Sequence, residues 1–414
     1  MHVPEAQRQF LDKVQQSLGD WDEKLKEINH KIWSNPELAY AEHDAHEAIC
    51  SFFEAVSSDG YKVRRKAWGL DTAFEIEWSN GKPGRVVAFN AEYDALPGIG
   101  HACGHNLIAT SSIAAFIATC EAIKSIPDVG YTVRLFGTPA EESGGGKVRL
   151  IDAGAYKGVD ACLMVHPVPM APGNPELHGM ATVIEGGFLA NDKVKVTFTG
   201  KPAHAAAAPW EGINALDAVV SAYVSISMLR QQIFPTQKIH GVIVNGGERP
   251  NIIPMSATVD YYIRSPTKKT LKPLTEKVIK CFEAAATATG CKVDYEWGPS
   301  YDDLKSNRPI CESYVSAMRA MGHHTLLDNS EQKGALAGAS TDMGNVSYEV
   351  PGFHGIFCIP AKGVNHTPEF TSGAGSPEGH KRSIACAAGM AVVACQVLVD
   401  DEFAEAVKAD FQRD

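Results

Sequence analysis

The chain lacks any excess of positive charge. Its 414 residues carry a formal net charge of −11, and no basic stripe interleaved with aromatics offsets that balance, so nucleic acid is not an expected partner. It also lacks a charged-then-apolar leader: Met1-His2-Val3-Pro4-Glu5-Ala6-Gln7-Arg8-Gln9-Phe10 does not have that pattern, and no apolar run reads as long enough to cross a bilayer. The expectation is a cytoplasmic protein with no membrane contact. Framework spacing is missing from the cysteines at 50, 103, 120, 162, 281, 291, 311, 358, 386 and 395, which read as reduced core residues. The triplets Asn345-Val346-Ser347 and Asn365-His366-Thr367 look like glycosylation acceptors but have no consequence outside the secretory route. Internal repeats and low-complexity tracts are absent, and Gly144-Gly145-Gly146 is too short to be a linker.

What is present is a length too great for one ordinary core, which points to about two domains. Phe10, Val14, Leu18, Trp21, Leu25, Ile28 and Ile32 recur at three- and four-residue steps and predict an amphipathic helix ending near Asn35-Pro36. A helix over 42–59, a strand over 62–65, apolar strands over 85–89, 131–135, 161–165 and 356–359, and a helix over 107–123 alternate as in an α/β layer fold. Near Asn191 the pattern changes. Strands over 194–198, 241–244, 257–264 and 292–296 and helices over 214–230 and 274–289 follow in the order strand, helix, strand, strand, helix, strand. That is the split β-α-β repeat of ferredoxin-like domains. The expected organisation is a mostly parallel-sheet domain over 1–189 and 301–414, interrupted by an α+β domain over 190–300.

The run His101-Ala102-Cys103-Gly104-His105-Asn106 sets a thiol and an imidazole two positions apart on one short loop, a donor pair suited to a transition metal. A bare Cys-x-His is as often structural as ligating, so its company matters. Glu141-Glu142 within Thr138-Pro139-Ala140-Glu141-Glu142-Ser143-Gly144-Gly145-Gly146, then His166-Pro167, then Asn365-His366-Thr367-Pro368-Glu369-Phe370, each come at the end of an apolar strand. In a parallel sheet the carboxyl ends of the strands line one crevice, where side chains distant in sequence converge. Cys103, His105, Glu142, His166 and His366 supply five candidate ligands, more than one tetrahedral ion needs. A pair of divalent ions sharing Cys103 fits better. Thiolate favours zinc, whereas the carboxylate and imidazoles also accept manganese.

Two such ions would lower the pKa of a bridging water and polarise a carbonyl oxygen, which is what amide hydrolysis needs. Glu141, beside a ligand on a turn where neighbouring side chains diverge, is either the general base or an acidic loop residue. Asp94, in Glu92-Tyr93-Asp94-Ala95-Leu96-Pro97-Gly98, either orients a ligand imidazole or simply forms a turn. In the inserted domain, His204 within Gly200-Lys201-Pro202-Ala203-His204-Ala205 reads on its residues alone as a surface histidine. Asn251 and Arg264 can donate hydrogen bonds to a substrate carbonyl and carboxylate, and Arg264 fits a strand-end ion pair equally well.

Through the Glu92 to Gly98 run, residues 101–109, 139–146 and 245–254, Ser340-Thr341-Asp342-Met343-Gly344-Asn345 and Asn365-His366-Thr367, the chain resembles the metallo-aminoacylase and carboxypeptidase family. Within it, the resemblance is to the branch of indole-acetyl-amino-acid and p-aminobenzoyl-glutamate hydrolases, and there to the amidohydrolase-type dipeptidases. It covers nearly the whole chain, with the motifs in order. It implies a zinc-peptidase-like catalytic domain dependent on zinc or manganese and an inserted ferredoxin-like lid that also dimerises. Also implied are ligands at Cys103, His105, Glu142, His166 and His366, Glu141 as base, and His204 as oxyanion donor, with Asn251 and Arg264 assisting in substrate binding. Asn106 departs from the Asp of much of the branch but agrees with its dipeptidase-like members, which puts in doubt only the transfer of auxin-conjugate specificity. The implied activity is cleavage of the amide bond of an N-acyl amino acid or dipeptide by a homodimer. Two other readings stand beside it: a thiol hydrolase with Cys103 as nucleophile, which leaves Glu141, Glu142, His166 and His366 without roles, and a catalytically silent scaffold or binding member.

Overall fold

A computed structural model describes residues 5–56, 59–126, 128–170, 173–182, 187–327 and 338–413. In chain order its strands are β1 (Lys62–Arg65), β2 (Phe74–Ser79), β3 (Arg85–Ala91), β4 (Tyr131–Gly137), β5 (Ala161–Pro169), β6 (Leu177–Ala181), β7 (Ala190–Thr199), β8 (Lys238–Asn245), β9 (Ser256–Ser265), β10 (Lys292–Trp297), β11 (His324–Leu327) and β12 (Gly352–Ile359). The chain divides into two compact units. One comprises Met1–Ile184, Lys305–Lys333 and Asn345–Asp414, the other Glu185–Leu304 and Gly334–Gly344.

In the first unit an eight-stranded sheet runs β1-β2-β4-β3-β5-β12-β6-β11. The four strands that precede the candidate ligand groups, β4, β3, β5 and β12, are mutually parallel neighbours, while β2 joins β4, and β6 joins β12, antiparallel. Every residue of β12 is buried, as expected of an apolar strand covered on both faces. The first helix, Glu5–Ser34, buries Phe10, Val14, Leu18, Leu25, Ile28 and Ile32 and stops just before Asn35-Pro36. The next is shorter than its sequence pattern, His43–Ala55, with Glu42 at its N-cap.

Helix His105–Ile123 packs against Glu5–Ser34 and Pro377–Val399 and is buried around nearly its whole circumference. It and Pro377–Val399 are long and apolar enough to cross a membrane, contrary to the reading of the sequence. Both are largely buried within this unit, so their apolar length is accounted for by helix-on-helix and helix-on-sheet packing.

In the second unit the sheet order β10-β7-β9-β8 is antiparallel throughout. Helices Ala215–Leu229 and Lys268–Thr289 pack on it, and Val194, Val196 and Phe198 of β7 share a core with Val219, Ala222, Val278 and Phe282. Asn214 caps the first helix, and a Thr267/Thr270 capping box starts the second. Chain order alone gives no sign of the return segment that joins this unit. Leu189 N–H donates to Ala339 O at 2.7 Å, and Arg264 Nη1 donates to Gly338 O and Ser340 Oγ at 2.9 and 3.0 Å.

Candidate metal centre

The site is assembled from the turns that follow β3, β4 and β12 and from β5 itself. After β3 the chain passes Glu92 and Asp94 and reaches Cys103; Gly104 then turns it into the helix that begins at His105. Gly104 takes φ +78°, and a Cβ there would lie 2.5 Å from Pro167 Cγ, so only glycine lets Cys103 and His105 stand this close to the His166 strand. After β4 comes Ala140, at φ +60°, immediately before Glu141 and Glu142. His166 lies in β5. His366, at φ +68°, donates its backbone N–H to Ala102 O at 2.8 Å, tying its loop to the Cys103 loop. Two non-glycine residues in the left-handed region flank or belong to one site, a concentration of strain typical of functional loops.

All five candidate ligands meet. Cys103, His105 and His166 form one set whose donor atoms lie within 4.8 Å of one another, Cys103, Glu142 and His366 form a second, and Glu92, His105 and Glu141 form a third that lacks the thiol. Cys103 Sγ is 3.4 Å from His166 Nε2, and Glu142 Oε1 is 3.3 Å from His366 Nε2 and 3.9 Å from His105 Nε2. Donors bound to one tetrahedral ion at about 2.0–2.3 Å would stand roughly 3.3–3.8 Å apart, the range these pairs span or approach. Glu141, largely buried, brings Oε2 to 3.9 Å from His105 Nε2. Asp94 serves two neighbours: Oδ1 faces His105 Nδ1 at 2.9 Å, and Oδ2 accepts the Glu142 N–H at 3.0 Å. Its carboxylate requires a proton on His105 Nδ1 and aims Nε2 into the site. The Pro167 carbonyl, 2.8 Å from His166 Nδ1, does the same for His166.

The electrostatics are those of a cation site. Burial, reinforced by Glu142, pushes the Cys103 thiol far above its ordinary range. Burial would also raise Asp94 and Glu142, but His105 holds Asp94 low, and His366 with His105 holds Glu142 low. Conversely, burial works against protonating His105, yet Asp94 keeps it well above the histidine range. The hydrogen bond to Glu142 raises His366, while burial and His105 push His166 down to about 4. His105 Nε2 and Glu92 Oε2 are buried without a hydrogen-bond partner among the described residues. Four carboxylates, Glu92, Asp94, Glu141 and Glu142, crowd the recess, and Lys147 is engaged with Glu92 Oε1 at 2.5 Å. Orphaned buried polar atoms beside a thiol and imidazoles fit divalent cations, which would offset the acidic charge and complete the unpaired groups.

Three residues of this site went unnoticed in the sequence. Glu92, fully buried, approaches His105 Nε2 to 3.5 Å through Oε2. It could have been found, because it leaves the same strand as Asp94. Lys147, fully buried, follows a glycine-rich turn that reads as surface loop. His354 packs its ring 5.7 Å from that of His166 from inside an apolar strand, where no sequence signal marks it.

In the second unit His204 is exposed. Its Nδ1 accepts the N–H groups of Ala206 and Ala207 at 3.2 and 3.1 Å, which leaves the proton on Nε2 as an available donor. Asn251 is its neighbour, since Ala205 N–H donates to Asn251 O at 3.1 Å. Arg264 makes no ion pair among the described residues. Half-buried, it lines a cavity of about 590 Å³ with Arg230, Lys238 and His240.

Residues 191–289 match the model of a peptidase dimerisation domain. The chain is 42% identical over 399 residues to an Xaa-Arg dipeptidase of Mus musculus, covering 94% of this chain and 89% of that protein. It is 31% identical over 318 residues to a p-aminobenzoyl-glutamate hydrolase of Escherichia coli, covering 72% and 63% of the two chains. Among solved structures, a Bacillus subtilis protein described as a dinuclear metal binding peptidase from the M20 family superimposes with a TM-score of 0.67 at 21% identity, over 92% of this chain and 99% of that one.

Proposed function

The chain belongs to the M20 peptidase family, and on that premise we propose that this metallo-hydrolase is a two-ion dipeptidase. It hydrolyses the amide bond of a dipeptide or N-acyl amino acid whose leaving side carries a free carboxylate. The observation that carries the reading is that two of the three donor sets have Cys103 in common. Cys103, His105 and His166 would hold one divalent ion, zinc or manganese, and Cys103, Glu142 and His366 the other. When bound, such ions polarise the scissile carbonyl and acidify the attacking water.

The remaining work belongs to the chain's own side chains. Glu141 takes the proton from the attacking water and returns it to the leaving amine. Asp94 fixes the His105 tautomer. His204 donates Nε2–H to the oxyanion, and Asn251 and Arg264 donate to the substrate's carbonyl and carboxylate. Likeness to an Xaa-Arg dipeptidase supports dipeptides with a basic C-terminal residue as the first substrates to try.

The assembly is proposed to be a homodimer. The matched dimerisation domain supports it, as does the edge strand β8, which exposes Val242, Ile243 and Val244 in the unit whose helix Ala215–Leu229 exposes Val220, Tyr223, Val224 and Met228. The cytoplasmic address stays part of the proposal. The 3.4 Å approach of Cys103 to His166 favours one alternative, a thiol nucleophile. The raised pKa of that buried thiol weighs against it. Metal analysis with a dipeptide panel, assayed with and without chelator, tests the proposal. Two bound ions and chelator-sensitive release of free amino acid are expected. Chelator-resistant, thiol-reagent-sensitive turnover would favour the nucleophile, and metal without any cleavage would favour a silent scaffold.

A further inference from the structure

The turn that carries Glu141 is held at two backbone N–H groups by two carboxylates. Glu142 N–H donates to Asp94, as described, and Ala140 N–H donates to Glu42 Oε1 at 2.9 Å. Glu141 lies between them. Asp94 has a second task at His105, but Glu42 is not among the donor groups of the centre. It is fully buried, 98 residues away in sequence, at the start of helix His43–Ala55. Burial, and then the charge of Asp94, push its carboxyl up to about 7. Burying a carboxyl in this way is costly unless it satisfies something. Besides its own backbone, Thr72 and the Tyr40 backbone, it serves the N–H of Ala140, a residue in the left-handed region that an alanine rarely adopts.

The same short segment grips the turn again. Tyr40 OH donates to Gly144 O at 2.6 Å. A Cβ on Gly144 would lie 2.4 Å from Tyr40 Cε2, so the ring sits directly against the turn's backbone. The Arg149 guanidinium covers that ring at 4.7 Å. Within the turn, Gly144 N–H closes onto Ala140 O at 2.9 Å, and Glu37 O accepts the N–H of Ala95, next to Asp94, at 2.8 Å.

We propose that Glu42, assisted by Tyr40, is a positioning residue for the Glu141 base: it locks Ala140 in its strained conformation and thereby aims the Glu141 carboxylate. The inference rests on the reading of Glu141 as the base. Without Glu42, Ala140 can relax toward ordinary backbone angles and carry Glu141 out of line. Glu142, whose N–H is held separately by Asp94, keeps its place.

The test uses the full chain loaded with manganese and a dipeptide it cleaves. Glu42→Ala should lower kcat about 10- to 100-fold, the scale of loss when a reacting group is slightly misplaced, with KM and bound metal unchanged. Glu42→Gln, which keeps an acceptor oxygen at the same reach, should recover kcat to within a few-fold of the parent. If Glu42→Ala does not fold, Glu42→Asp, which withdraws the oxygen by one methylene, takes its place with the same expectations. A parental kcat in the Ala or Asp variant overturns the proposal, as does metal lost in step with kcat or a Gln variant as slow as the Ala variant. Glu141→Gln measured alongside separates the two ideas. Near-normal turnover there removes the base itself, whereas a dead Glu141→Gln beside a fully active Glu42→Ala removes only the clamp.

Discussion

The two units hold their chemistry in contrasting ways. In the first, the candidate donors His105, Glu142 and His166 are recessed and gripped: His105 by Asp94, the Glu142 backbone again by Asp94, and His166 by the Pro167 carbonyl. In the second, His204 stands exposed, its ring fixed by two N–H groups of its own turn. The difference fits the roles proposed for each. Groups that hold cations against mutual repulsion have to be placed before the ion arrives, and here, apart from the exposed His366, burial and a supporting shell of hydrogen bonds do that. A donor that meets a passing substrate needs only the right tautomer on an accessible surface.

Substitutions should therefore divide by unit, and the sharpest is at the shared thiol. Cys103→Ala removes a donor from both sets, so metal affinity should fall by more than the roughly 10- to 100-fold typical of losing a supporting residue, and turnover should vanish with it. Dialysis against a metal buffer followed by elemental analysis checks this; unchanged occupancy would break the contrast at its root. Next in size, Glu141→Gln should keep its metal while turnover falls by about two to four orders of magnitude, since a general base contributes about that much. Steady-state kinetics beside metal content decide it, and retained turnover would return Glu141 to the status of a loop acid.

Across the divide, His204→Ala should cost roughly 10²-fold in turnover, the scale of one oxyanion donor, with metal content unchanged. Loss of metal in that variant would erase the distinction between the units. The smallest effect on the metal is expected from Ile243→Asp on the exposed edge strand, which should shift the protein from dimer to monomer in sedimentation velocity without altering the ions bound. A variant that stays dimeric would remove β8 from the interface.

Much of the first unit was legible because its signals are positional. Three apolar strands are followed by a group capable of binding metal and a fourth, β5, carries one, and parallel pairing alone brings those groups together. The order of elements in the second unit was equally plain, since strand alternation and helix periodicity differ sharply there. What escaped depends on tertiary contact. Glu42 and Lys147 have no local pattern that distinguishes a buried carboxyl or ammonium from a surface one, and each acquires its role from a partner 98 or 55 residues away. His354 is hidden by its strand. The return segment at 338–344 belongs to the second unit only through hydrogen bonds to Leu189 and Arg264. The apolar length of helices His105–Ile123 and Pro377–Val399 likewise makes sense only once each is seen packed against other elements.

The central claim, that two cations meet on five side chains with one sulfur in common, is tested most directly by native mass spectrometry of the manganese- or zinc-loaded chain beside its Cys103→Ala variant. The account predicts two ions per parent chain and the loss of both in the variant. A single ion in the parent, or a variant that keeps one ion at parental affinity, would contradict it.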